Sequence, residues 1–274
     1  MQNQLKSAIR FNDFVAYFGA PGVVALAWWI GAAHADRIRQ EQNSFPFLQI
    51  LGAAGSGKTL LMDYLQKLNG ETPQSPTLPL DHATPAARAR ALAAARQRIV
   101  ICEVLCESER SFDWDELKPL YNSGKVTIRS ADNQHEDMTF HGALVITANH
   151  RVECSDAVSS RMVTVNLSTD GAHRPRVRPE VIADFKANEA SEFTSKVAES
   201  EDWIISTIQT FLPCYQGQLT RKYGAGLNAR TALNCAQLIC LIDLLCSLLS
   251  ISQDLQLEAR KLVHDIAFTD TLPY

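Results

Sequence analysis

Apolar residues recur at helical spacing through 11–40, where Phe14, Val15 and Phe18 are followed by Val24, Leu26, Ala27, Trp28 and Ile30. That stretch predicts a helical lead-in, closed by the polar run 36–43. A continuous apolar run over 45–51 then reads as a buried strand, with Pro46 tolerable near its start. A helix is predicted over 58–68, stopped by Asn69-Gly70. Residues 71–80 carry Pro73, Pro76 and Pro79 and predict a loop, after which Thr84-Pro85 opens an alanine- and arginine-rich helix to about Arg96. Further buried strands are predicted over 98–105, 143–147 and 162–167, and a short helix over 114–120. A hairpin is expected to pair 125–128 with 138–141 across the polar tip 131–137. Beyond Asp170 the chain turns basic and proline-rich, then helical around 181–212, 230–249 and 253–268.

Strands alternating with helices predict an α/β fold, a parallel sheet flanked by helices. The changes of texture divide the chain into a helical lead-in over 1–44, a core over 45–172 and an all-helical C-terminal part over 173–274. The apolar run 23–33 is too short to span a bilayer, and 233–251 is interrupted by Asn234, Gln237 and Asp243. Both predict buried helices and no membrane partner. Residues 1–10 are polar and lead into no small-residue cleavage pattern, so no signal peptide is expected.

Composition adds one constraint on partners. Apolar residues make up 46% and charged residues 20% of the 274, the balance of a globular protein with a real core. The net charge of −4 excludes a surface that coats nucleic acid as a whole, so any such site must be local. A ring presenting a few basic loops to a central channel meets that limit. The seven cysteines include no C-x-x-C pair and several lie in apolar stretches, which predicts reduced thiols in a cytoplasmic protein and no zinc site.

The strongest chemical signal is Gly52-Ala53-Ala54-Gly55-Ser56-Gly57-Lys58-Thr59, followed by Leu60, between the first strand and its helix. Glycine-loop amides and a helix N-terminus cradle phosphates there, with Lys58 on the β and γ oxygens of ATP and the Thr59 hydroxyl on Mg2+. Hydrolysis also needs an acid at the end of a neighbouring strand. Glu103 is the candidate, to hold magnesium or accept the proton of the attacking water; the alternative is a solvated glutamate. The usual pattern ends in two acids, and Cys102 stands where the first would be.

The strand 143–147 runs on through Ala148 to Asn149, a residue able to sense the γ-phosphate or position water, or equally to cap a turn. Ser159-Ser160-Arg161 precedes the last strand, and an arginine there could reach ATP on a neighbouring subunit, or form a surface ion pair. Arg151 is the second candidate for that role.

The order of glycine loop, acid strand, asparagine strand and following arginine resembles the superfamily 3 helicases, in particular the helicase module of phage and plasmid primase-helicases often joined to a Toprim primase. The resemblance covers about 45–170 and rests on the glycine loop, Ile101-Cys102-Glu103, Leu117-Lys118-Pro119-Leu120-Tyr121 with Val126-Thr127-Ile128-Arg129, Val145-Ile146-Thr147-Ala148-Asn149 and Ser160-Arg161-Met162-Val163. Ala27-Trp28-Trp29 and Arg230-Thr231-Ala232-Leu233-Asn234 also look like parts of such proteins. It implies an AAA+-like P-loop fold and a homo-oligomeric, hexameric ring that hydrolyses ATP between subunits and moves single-stranded DNA through its channel. On that reading Lys58, Glu103, Asn149 and Arg161 are catalytic, Thr59 and Glu103 hold the metal, and residues 52–60 hold the nucleotide. The DNA hairpin is about 125–141, with Lys125, Arg129 and His135 on phosphates; otherwise Arg129 pairs with Asp132, Glu136 or Asp137. A primase domain or protein is the implied partner. Competing readings are an ATPase that loads or remodels a protein, a monomeric P-loop kinase, and a nucleotide-binding module with weak turnover at Cys102.

Overall fold

Thr84 is an N-cap by chemistry as well as by position: its Oγ1 accepts from the Ala87 amide at 3.2 Å, Pro85 fills the first helical turn, and the helix runs Pro85–Ala94. Similar local rules set most of the remaining elements. The computed structural model describes residues 2–70, 84–96, 99–104, 112–129, 135–167 and 176–272. Helices α1 (Gln2–Ala8), α2 (Phe11–Ala33) and α3 (Ala35–Gln42) lead into β1 (Phe47–Leu51) and α4 (Lys58–Leu68). The helix Pro85–Ala94 is α5, followed by β2 (Ile99–Glu103), a 3-10 turn at Trp114–Leu117 and α6 (Lys118–Asn122). Next come β3 (Lys125–Arg129), β4 (His135–Thr139), β5 (Ala143–Ala148), α7 (Asp156–Ser159) and β6 (Met162–Asn166). The chain ends in α8 (Pro179–Ala183), α9 (Ser191–Ala198), α10 (Glu201–Tyr223), α11 (Ala229–Leu249) and α12 (Gln253–Asp270). The proline-rich loop 71–80, Cys106, the hairpin tip and the expected boundary near 172 lie outside the described residues.

Four strands form a parallel sheet in the order β2-β5-β1-β6. Parallel strands need both faces covered. On one face Leu48, Ile50, Ile99, Ile101, Val145, Val163 and Val165 pack into a core that also holds Trp28 and Trp29 of α2, Leu61 and Leu65 of α4, and the apolar side of α11. On the other, Phe47, Val100, Cys102, Leu144, Ile146 and Met162 meet Leu92 of α5, Leu117, Leu120, Tyr121 and Phe140. The lead-in and the C-terminal helices therefore share one core with the sheet.

Several bounds differ from the sequence reading. β1 begins at Phe47, because the Pro46 carbonyl is taken by Trp28 Nε1 at 2.9 Å. The hairpin pairs Lys125 with Thr139 and Arg129 with His135, so His141 is outside it. Gly124 sets that register: its φ is +67°, and its carbonyl accepts from Phe140 N at 2.8 Å. The helices expected across 181–212 are α8, α9 and the first half of α10, which continues through the exposed Pro213.

The apolar run 23–33 is part of a 23-residue helix, and α11 has 21 residues; both are long and apolar enough to cross a membrane. Both are mostly buried inside the protein. α2 is also broken at Gly19, whose φ of 60° and ψ of −150° only glycine adopts readily, with Pro21 in the first turn of the second segment.

Candidate functional site

The glycine loop leaves β1 at the C-terminal edge of the sheet, where ligands of open α/β folds bind. Its glycines are needed for space and for backbone angle. A Cβ on Gly52 would stand 2.3 Å from Ser56 Oγ and 2.8 Å from the Leu167 carbonyl, and Gly55 and Gly57 have φ of +80° and +92°. Gly57 caps α4, and the first intrahelical bond runs from Leu61 N to Gly57 O. Helix geometry thus leaves the amides of Lys58, Thr59 and Leu60 without intrahelical acceptors, aimed into the loop.

Lys58 Nζ reaches back across this loop. It donates to Gly52 O at 2.6 Å, Ala53 O at 3.2 Å and Asn149 Oδ1 at 2.9 Å. The structure thereby joins two of the predicted site residues, Lys58 at the start of α4 and Asn149 just past the end of β5. Thr59 is exposed at the loop. Glu103 ends β2, exposed, in register with Thr147. The ladder runs Glu103, Thr147, Ile50, which sets Glu103 two strands, about 10 Å, from the strand that carries the loop. Cys102 points the other way, fully buried in the second core, where burial pushes its thiol pKa far up. It is a core residue and not a thiolate ligand.

Arg161 is not brought to this loop in the same chain. Its carbonyl accepts from Phe47 N at 3.0 Å, at the opposite, N-terminal edge of the sheet. Its guanidinium lies 5.3 Å from the Tyr121 ring centroid, donates to the Ala157 carbonyl, and is only 9% exposed. Burial, then the neighbouring Arg230, lower its pKa. Arg151 is exposed and donates to Ser159 Oγ at 2.8 Å.

The hairpin projects from α6 between β2 and β5 in the sequence, with Lys125 exposed at its base. Arg129 and His135 are register partners next to the tip; their side chains lie outside the described residues. Its root is anchored to the lead-in. Arg39 Nη2 donates to the carbonyls of Phe140 at 3.1 Å and Gly142 at 2.9 Å, and His141 Nδ1 lies 3.1 Å from Asp36. Burial lowers the Arg39 pKa to about 10.

No protein-family model and no curated protein matches the chain. Among solved structures it is similar to SCCmec type IV Cch, described as an active helicase, at 12% identity and a TM-score of 0.62 over 91% of this chain. The fold is helicase-like. The chain spans about half of that neighbour, 48% of its length.

Within this helicase-like fold, the residues present fit a nucleotide with its metal. Three helix-start amides, a lysine held only by carbonyl and amide oxygens, and a buried Ser56 hydroxyl with no hydrogen-bond partner describe a cradle shaped for phosphate. Thr59 and Glu103 supply the hard oxygen donors that magnesium prefers. Sequence reasoning missed Tyr17, whose ring would lie 3.2 Å from a Cβ on Gly57 and so walls the loop. It also missed Arg39. Tyr17 carried no signal inside an apolar helix, whereas an arginine at the buried face of α3 was a visible anomaly.

Proposed function

We propose that this chain is an ATP-driven helicase or translocase of superfamily 3 type that works as a ring on single-stranded DNA, in phage, plasmid or prophage replication. One observation carries the reading: Lys58 bonds the glycine loop and Asn149 together at the sheet edge where Glu103 also ends. The helicase-like fold supports it.

In this reading residues 52–60 hold ATP, with loop amides and Lys58 on the β and γ phosphates. Thr59 and Glu103 would hold magnesium, which would supply charge neutralisation at the phosphate oxygens. Asn149 orients the attacking water, and Glu103 accepts its proton. The water oxygen bonds to the γ-phosphorus as the bond to the β–γ bridging oxygen breaks, and that electron pair leaves on ADP. Arg161 serves the site of the next subunit. Lys125, Arg129 and His135 hold DNA phosphates, so the hairpin carries the motion.

Turnover is expected to rise with single-stranded DNA and to vanish in Lys58→Ala. Turnover indifferent to DNA and to protein concentration rejects the ring motor; turnover unaltered in Lys58→Ala removes the loop from the mechanism.

A further inference from the structure

β6 is an edge strand. It pairs with β1 on one side only, at the end of the order β2-β5-β1-β6. In a parallel ladder alternate residues turn their main chain to the neighbouring strand, and two bonds fix which ones do so here. Phe47 N donates to Arg161 O at 3.0 Å, and Leu167 N donates to Leu51 O at 2.7 Å. Val163 and Val165 therefore face β1, and the N–H and C=O groups of Met162, Thr164 and Asn166 face away from the sheet. Among the described residues no hydrogen bond reaches these outward groups.

Open edges are ordinarily blunted by charge, proline, a bulge or a covering loop. Met162-Val163-Thr164-Val165-Asn166 carries no charge and no proline, and its pairing with β1 is unbroken. What flanks it is a cavity of about 320 Å³ that follows the strand from Met162 to Asn166. Strand alternation gives this slot two unlike walls. On the side of the larger core stand Pro21 and Val24 of α2 with Leu262 and Ile266 of α12. On the side of the second core are Met162, Thr164 and the exposed Arg151. Asp265, exposed on α12, borders the apolar wall, and no described group hydrogen-bonds its carboxylate.

These features specify an occupant. Outward groups on alternate residues are spaced for the main chain of another extended segment, which can bond them as an added strand does. A side chain turned to the α2–α12 wall meets an apolar surface bordered by an acid, which suits the stem and cationic end of lysine or arginine. One turned the other way meets Arg151, which repels cations, beside Met162 and Thr164, which suit a β-branched side chain. A folded sheet edge of a second copy would bring its own covering helices against these walls; a free extended chain brings none. We propose that the outer edge of β6 docks an extended segment of a partner protein in which lysine or arginine alternates with β-branched residues, added to the sheet as one more strand.

A fluorescein-labelled octapeptide of alternating valine and lysine is the probe, read by anisotropy against the full chain. It should bind saturably, and its valine–glutamate counterpart should not. Thr164→Pro removes one outward N–H while leaving the main-chain ladder to β1 intact, and should weaken the probe about tenfold or more, the scale of one hydrogen bond withdrawn. Asp265→Lys, at an exposed position, should weaken it by about the same factor and admit the valine–glutamate peptide. The probe N-methylated at every amide should lose binding to the unaltered protein, a test that holds even if Thr164→Pro fails to fold. Absence of saturable binding, equal binding of the methylated probe, or unchanged binding in either folded variant overturns the proposal. Displacement of the probe by ATP gives the slot to the nucleotide, and self-association that Thr164→Pro disperses gives it to a second copy; either result overturns the proposal as stated.

Discussion

At the scale of single residues, the glycines differ both in how legible they were and in why they are needed. The loop pattern 52–59 announces itself in the sequence, and Gly55 and Gly57 are required there by positive φ. Gly124 gave no such warning, yet it is as constrained: φ is +67° and a Cβ would fall 2.2 Å from the Phe140 carbonyl. Gly124→Ala is expected to destabilise the protein by about 1–3 kcal/mol, the usual scale for a residue held in such a conformation, seen as a lower midpoint in thermal unfolding. An unchanged midpoint means the hairpin root can shift freely. Cys102 shows the reverse: strand alternation turns its side chain into the core, so the position where the usual pattern has its first acid holds an apolar packing group and Glu103 is the acid at the end of that strand. If Asn149 orients the attacking water, Asn149→Ala should cut turnover about 100-fold while ATP affinity changes little; a parallel loss of affinity would assign it to binding through Lys58 instead.

Among elements, helices and buried strands followed from periodicity, and the sheet edge that gathers Lys58, Asn149 and Glu103 follows from parallel pairing. The hairpin was foreseen as an element but misregistered, because polar alternation over 131–141 does not say where pairing stops; the turn at Gly124 does. If this hairpin meets DNA, Lys125→Ala and Arg129→Ala should each reduce the log–log salt slope of single-stranded DNA binding by about one unit. Equal slopes for variant and wild type would falsify the phosphate contacts. The clamp by Arg39 was hidden for a simple reason: it joins carbonyls roughly 100 residues away, and such long-range partners leave no local pattern.

For the whole molecule, texture suggested three successive parts, whereas burial joins the first and last of them around one face of the sheet. The proposed ring is tested at this scale as well. With an ATP analogue and single-stranded DNA, a closed oligomer should appear in mass measurements, and turnover per chain should fall on dilution; a monomer under those conditions speaks for a different enzyme. The shared core has a temporal side. Gln2 and Lys6 bond to the carbonyls of Ser247 and Ser250, and α2 packs on α11. As the chain is synthesised, its most apolar N-terminal helix must therefore wait for a partner roughly 200 residues behind it, about 10–40 seconds at ribosomal speed. During that interval α2 carries the length and hydropathy of a membrane anchor without its largest covering surface. Chaperone capture on the ribosome, read by crosslinking to stalled nascent chains, is expected to persist until α11 has emerged.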